Sequence, residues 1–182
     1  MTGNHEYNTQ DNWKLFAESL ELYQLDTELA VGLNLGAMHL LTFDPYNLLY
    51  GVTNKTEDKV APKFDRLLKE AQNQGRFVVT TSHYPLACSG TSKNCANDID
   101  LMSNYWNSML DNGVSLYLGS HYHTYQRLYP YRKDGTFSNQ ADGYVSNGNY
   151  LISIVEGVAG NDRDIVESIK KIKDFTAAYT VN

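Results

Sequence analysis

Arg76-Phe77-Val78-Val79-Thr80-Thr81-Ser82-His83 is an apolar, β-branched run that opens directly onto a histidine. So short and apolar a run, directly after a helical pattern, reads as a strand buried on both faces of a parallel sheet. The helix before it is predicted over Glu57 to Gln74. Val60, Phe64, Leu67, Leu68 and Ala71 fall on one face, Pro62 sits in the first turns and Gly75 supplies the stop. After it, Asp98 to Leu110 predicts a second helix with Leu101, Met102, Tyr105, Trp106 and Met109 as its apolar stripe. Asp98 and Asp100 are expected to cap it, and Asn112-Gly113 to end it. Val114-Ser115-Leu116-Tyr117-Leu118-Gly119 is then a second buried strand, and it opens onto Ser120-His121-Tyr122-His123. Strand and helix alternate, so the fold class is α/β. Both histidine segments follow the C-terminal end of a strand, which is the edge where open α/β sheets bind ligands.

Outward from this centre the signals are weaker. Asp11 to Leu25 reads as a helix capped by Asp11, with Trp13, Phe16, Leu20 and Tyr23 near helical spacing. Ala30 to Asp44 reads as two short strands around a turn at Asn34-Leu35-Gly36. Asn47 to Thr56 is expected as a loop, Tyr131 to Asn149 as a polar Gly/Asn-rich insertion, and Asn149 to Val155 as a further strand. Beyond Asn161 there is helical propensity around Ile165 to Ile172, with no evident packing partner. No internal repeat or linker divides the 182 residues.

Composition bounds the function. The chain is 42% hydrophobic and 20% charged, ordinary for a globular domain. Its net charge of −6 leaves no basic footprint for nucleic acid or an anionic membrane surface. An anionic substrate would need local positive charge, for which bound metal ions are the obvious source. No stretch approaches the roughly 20 apolar residues of a membrane span. The 14 tyrosines suit strands as well as an aromatic-rich cleft. Cys88 and Cys95, with six residues between them, can stand as two thiols or close the loop as a disulfide. A bridge there would stabilise by about 2–2.5 kcal/mol. Together with the sequon Asn54-Lys55-Thr56, the bridged reading favours an oxidising compartment.

The chemistry-bearing residues are spread widely. Gly3-Asn4-His5-Glu6 opens the chain, Ser82-His83-Tyr84-Pro85 follows the first buried strand, and His121-Tyr122-His123 follows the second. On extended backbone the side chains of residues i and i+2 share a side, so His121 and His123 can face one cavity. Taken singly each element is weak. An His-x-His pair is more often part of a polar loop, a lone histidine after a strand is often structural, and His39, inside a strand, is read as structural. The ordered set of an Asn-His turn, a strand-His and a strand-His-x-His is more specific.

That set resembles the calcineurin-like metallophosphoesterases, and among them the purple acid phosphatases. Further stretches carry the resemblance. Leu33 to Phe43 is similar to that family's strand pair after the Asn-His motif, and Phe64 to Ala71 to its helix before the histidine strand. His83-Tyr84-Pro85-Leu86-Ala87-Cys88-Ser89, followed by Cys95, is similar to the loop of its animal-type members. His121 to Pro130 and Ile154 to Asn161 resemble the segments beyond. Ser120 replaces a glycine usual in the family. Gln126 stands where the family often has Glu, a change expected to alter hydrogen bonds behind the ligands rather than ligation.

The resemblance implies the C-terminal half of a four-layer α/β/β/α sandwich. Residues 1–161 would belong to the catalytic domain, with its N-terminal half missing, and 162–182 would form a tail lacking the closing strand. It implies a dinuclear metal centre, Fe(III) with a divalent Fe, Zn or Mn. Asn4, His83 and His121 would hold the divalent ion, His123 the ferric ion, and His5 would face the phosphate as a catalytic residue. Imidazole and amide oxygen suit such ions. The implied activity is acid phosphatase chemistry, hydrolysis of phosphate monoesters by metal-activated hydroxide. The family draws its carboxylate ligands from a segment before Gly3. All four ligands carried here are neutral, so the chain alone is expected to bind metal weakly and to be inactive without that segment or a chain supplying it. Secretion or a lysosomal or vacuolar lumen follows. The alternative is a catalytically inactive pseudophosphatase fragment serving as a structural or interaction module.

Overall fold

The computed structural model describes residues 30–45, 60–89, 102–132, 136–138, 150–157 and 176–180; of residues 103 and 177–180 it describes the backbone alone. Within these residues the two predicted buried strands lie side by side in one mixed sheet. In chain order the elements are β1 (Ala30–Leu35), β2 (Met38–Phe43), α1 (Val60–Asn73), β3 (Phe77–Thr81), α2 (Ser103–Asp111), β4 (Leu116–Gly119), β5 (Tyr125–Leu128), β6 (Tyr131–Arg132), β7 (Tyr150–Glu156) and β8 (Thr176–Thr180). The sheet runs β1-β2-β3-β4-β7-β5-β8, with β6 also paired to β7. Strands β2, β3, β4 and β7 are parallel to their neighbours among themselves. The strands β1, β5 and β8 pair antiparallel at the flanks. This is the α/β class expected.

Helices α1 and α2 cover one face. On α1, Val60, Phe64, Leu68 and Ala71 are buried. Leu67, on the edge of that stripe, is only partly buried. Gly75 adopts φ +64° and Arg76 N–H reaches back to Ala71 C=O, so the helix stops where the glycine permits a left-handed turn. On α2, Met102, Tyr105, Trp106, Met109 and Leu110 are buried. Its N-cap is Met102 without a side-chain cap bond, whereas Asp98 and Asp100, expected to cap it, lie outside the described residues. Phe43 of β2 joins the helices to the sheet. Its ring lies 4.4 Å from Phe64 and 4.6 Å from Tyr105. Asp65 on α1 receives hydrogen bonds from Ser108 and Asn112 of the α2 end. Partial burial pulls its carboxyl upward, but the bonds from Lys69, Ser108 and Asn112 outweigh that and hold it below the usual carboxylate range.

The opposite face is apolar as well. In-register neighbours put Leu33, Leu35, Met38, Leu40, Phe77, Leu116, Leu118, Ile152 and Ile154 on it. Leu33, Leu35 and Phe77 are among the large hydrophobic residues left most exposed.

Three expectations change. The hairpin turn sits at Gly36-Ala37, with Asn34 and Leu35 inside β1; Gly36 at φ +62° makes the reversal. The polar insertion after Tyr131 begins with β6 and forms a bridge between Tyr131 and Phe137. Past Asn161 a strand is described where no packing partner was evident: Thr176–Thr180 pairs with β5, while the predicted helical stretch Ile165 to Ile172 lies outside the described residues. Thr-Ala-Ala-Tyr-Thr has modest strand propensity, and the exposed edge of β5 decides its state. The predicted helix over Asp11 to Leu25 and the predicted loop over Asn47 to Thr56 lie outside the described residues.

Candidate functional site

The C-terminal edge of β3 and β4 brings two of the predicted residues together. Ser82 N–H bonds Leu118 C=O, and Ser120 N–H bonds His83 C=O at 3.0 Å, so the two loops stay zippered one step past the strands. Close approach is possible because β4 ends in Gly119. A Cβ there would lie 2.8 Å from Pro85 Cα and 3.2 Å from Tyr84 O. Beneath them Tyr117, fully buried, donates its hydroxyl to Tyr84 C=O. Burial pushes the Tyr117 phenol well above its ordinary value, against a smaller opposing hydrogen bond with Ser82, so it stays a neutral donor.

His121 adopts φ +62°, among the described residues the one non-glycine in the left-handed region. Such a conformation costs on the order of 1–3 kcal/mol and clusters at functional sites. It brings the His121 ring to His83: Nε2 of His83 lies 3.1 Å from Nδ1 of His121. Tyr84, itself buried, packs edge-on to His83 and tilted against His121, each at 5.0 Å. Two imidazoles on one ion at about 2.0–2.1 Å place their nitrogens roughly 2.9 Å apart when octahedral and 3.4 Å when tetrahedral. The observed separation lies between these values, so the pair fits two neighbouring donors on one metal.

His123 follows half-buried on the same segment. Among the described residues no group of three or more His, Cys, Asp or Glu gathers to hold a metal. Asn4, His5, Asn54 and Cys95 lie outside the described residues. Cys88 is buried beside Val155. His39 is in a strand, as read, and is buried at the other end of the sheet.

Two further positions support these loops, Gly157 without a clear sequence signal and Gln126 with one. Gly157, just past β7, donates its N–H to Thr124 C=O, and a Cβ on it would lie 2.0 Å from Tyr122 O. The loop holding His121 and His123 is thus pressed onto bare backbone. A Gly after a strand hinted at close approach but not at its partner. Gln126 is fully buried and bonds both the peptide of Ser89 and the hydroxyl of Thr124.

A purple acid phosphatase isolated from yellow lupin (Lupinus luteus) seeds superposes with a TM-score of 0.65 over 85% of this chain, at 12% identity. The fold is part of a purple acid phosphatase fold. A second structure, GAP50, the anchor in the inner membrane complex of Plasmodium, superposes at 0.52 over 84% of the chain with 14% identity. By sequence, an acid phosphatase of Aspergillus ficuum is 30% identical over 113 residues, 59% of this chain. No family model matches. The purple acid phosphatase-like relationship is one of partial coverage: the chain spans 17% of the fungal enzyme and 27% of the lupin one. Among the described residues no helix is long and apolar enough to cross a membrane.

Proposed function

We propose that this chain carries the imidazole side of a dimetal phosphomonoesterase centre. The observation that supports it is the His83–His121 pair, 3.1 Å apart at the ligand-binding edge of the sheet. His83, His121 and Asn4 would hold the divalent ion, His123 the ferric ion, and His5 would face the phosphate. When bound, such a metal pair supplies Lewis acidity and a nucleophile at acidic to neutral pH. This chain's own contribution is orientation. Tyr84 packs against both rings, the Ser120–His83 backbone bond holds the loops together, and the neutral Tyr117 hydroxyl fixes the Tyr84 peptide. Carboxylates from a preceding segment, or from a second chain supplying it, would complete the charge balance that four neutral ligands lack. A Cys88–Cys95 bridge, glycosylation at Asn54, and a secreted or lysosomal/vacuolar location belong to the same reading.

The experiment is a zinc titration of the chain followed by the imidazole NMR signals of His83 and His121. Both should move together at one stoichiometry, with weak affinity, and His83→Ala should abolish the response of His121. Independent titration of the two rings sinks the reading. So, in the opposite sense, do two tightly held metals per isolated chain, because they would leave no part for outside carboxylates. The alternative reading is a pseudophosphatase module that keeps the fold without the chemistry. It predicts no coupled zinc response at all.

A further inference from the structure

We infer that Gln126 is a positioning residue that sets the spacing of the two histidine loops, an inference that rests on the metal-centre reading above. Gln126 lies on β5 opposite Val155 of β7 and is fully buried. Its Oε1 accepts Ser89 N–H at 2.7 Å, and its Nε2 donates to Ser89 C=O at 2.9 Å and to Thr124 Oγ1 at 2.8 Å. The side-chain amide therefore pairs with both backbone groups of one residue, as a neighbouring strand would. A third bond goes to its own segment, at Thr124 just after the histidine pair.

The placement of Ser89 gives this a consequence. Ser89 closes the loop that His83 opens, and its hydroxyl lies 2.5 Å from that of Thr176 on β8. Gln126 closes the segment that Ser120 and His121 open. The two segments are thus joined at both ends: Ser120 N–H to His83 C=O at one, Gln126 to Ser89 at the other. A frame closed at both ends holds the His83–His121 spacing; a frame open at the Gln126 end lets the loops drift. Only a group that both donates and accepts makes these bonds. An ionised carboxylate takes the Ser89 N–H and can accept from the Thr124 hydroxyl, but has no proton for Ser89 C=O. A carboxylic acid has one. Burial raises the pKa of a carboxyl placed there, so it regains that proton in the mildly acidic range.

The test compares the full chain with Gln126→Glu and Gln126→Met at about pH 7 and about pH 5. One readout is amide exchange protection at Ser120, which reports the bond to His83. The other is zinc affinity, each variant taken relative to the unaltered chain at the same pH. At the higher pH both variants should lose Ser120 protection and bind zinc roughly tenfold or more weakly. At the lower pH Gln126→Glu should recover most of both and Gln126→Met neither. Unchanged Ser120 protection in Gln126→Met overturns the inference, as does equal loss in both variants without recovery in acid. If the unaltered chain takes up no zinc, the metal reading fails by itself, and Ser120 protection still decides whether Gln126 holds the loops.

Discussion

The parallel strands carry histidine at both ends, and the two ends treat it differently. At the N-terminal end, His39 is the second residue of β2, with its Nδ1 2.6 Å from Asn34 Oδ1 of β1. Its Nε2 is buried without a hydrogen-bond partner, pressed over Gly32, where a Cβ would lie 2.6 Å away. Burial lowers its pKa, Arg76 adds to that and Glu70 opposes. At the C-terminal end, His83 and His121 lie in loops beyond the strands, half-exposed and aimed at one another. A histidine within the pleat is held by its covering and becomes a structural group that resists charge. Histidines two residues past the strand ends sit on loops joined by a backbone bond, which sets one ring against the other at the sheet's edge rather than inside the pleat.

Substitutions separate the two ends. Phe64→Ala removes the ring beneath Phe43 and Tyr105, the core both ends share. It should cost about 3–5 kcal/mol in chemical denaturation and weaken protection at both. Gly157→Ala strikes the C-terminal end alone. Its Cβ has no room against the Tyr122 carbonyl, so a loss of about 1–3 kcal/mol is expected. Hydrogen exchange should rise in residues 120–126 and remain unchanged in the β1–β2 hairpin. Exchange spreading evenly over the sheet would show that the two ends are not separable.

His39→Gln strikes the N-terminal end, and its effect lies in pH dependence. The folded imidazole titrates below its ordinary value of 6.5, so the unfolded chain binds the extra proton first. Its stabilising contribution is complete above that value and is lost as pH falls below it, toward the lowered folded value. Stability of the unaltered chain should therefore drop more steeply through this window than that of His39→Gln, read as denaturation midpoints across pH. Parallel profiles would remove His39 as the cause. Arg66→Ala touches neither end. Arg66 and Glu70 form an i,i+4 pair with both side chains more than half exposed. The change should shift stability by less than about 0.5 kcal/mol.

The parts legible in the sequence are those whose signals are local. Helix α1 shows its stripe and its glycine stop, and β3 and β4 show apolar runs bounded by turn residues. The placement of His83 and His121 follows from the position of those runs. What was not legible depends on partners distant in the chain. Tyr125-Gln126-Arg127-Leu128 is a strand because β7 and β8 flank it, not because four such residues prefer to be extended. Strand β8 is the same case from the other side. The meeting of His83 with His121 depends on a left-handed backbone at His121, and no glycine marks it. The clamp by Gln126 depends on where residue 89 arrives, which no spacing between residues 89 and 126 encodes.

The sheet order also dictates a schedule. Strand β7, beginning at Tyr150, sits between β4 and β5, although β5 ends at Leu128. Everything from β1 to β4, with both helices, can pair as it leaves the ribosome. The strand β5 has no seat until β7 arrives, and β8 none until β5 is seated. Pairings that span so much chain are slow to close. Refolding followed by pulsed exchange should protect β2–β4 first and β5 no earlier than β7. The last event to assemble the frame around the histidines is then the docking of the chain's most distant described strands.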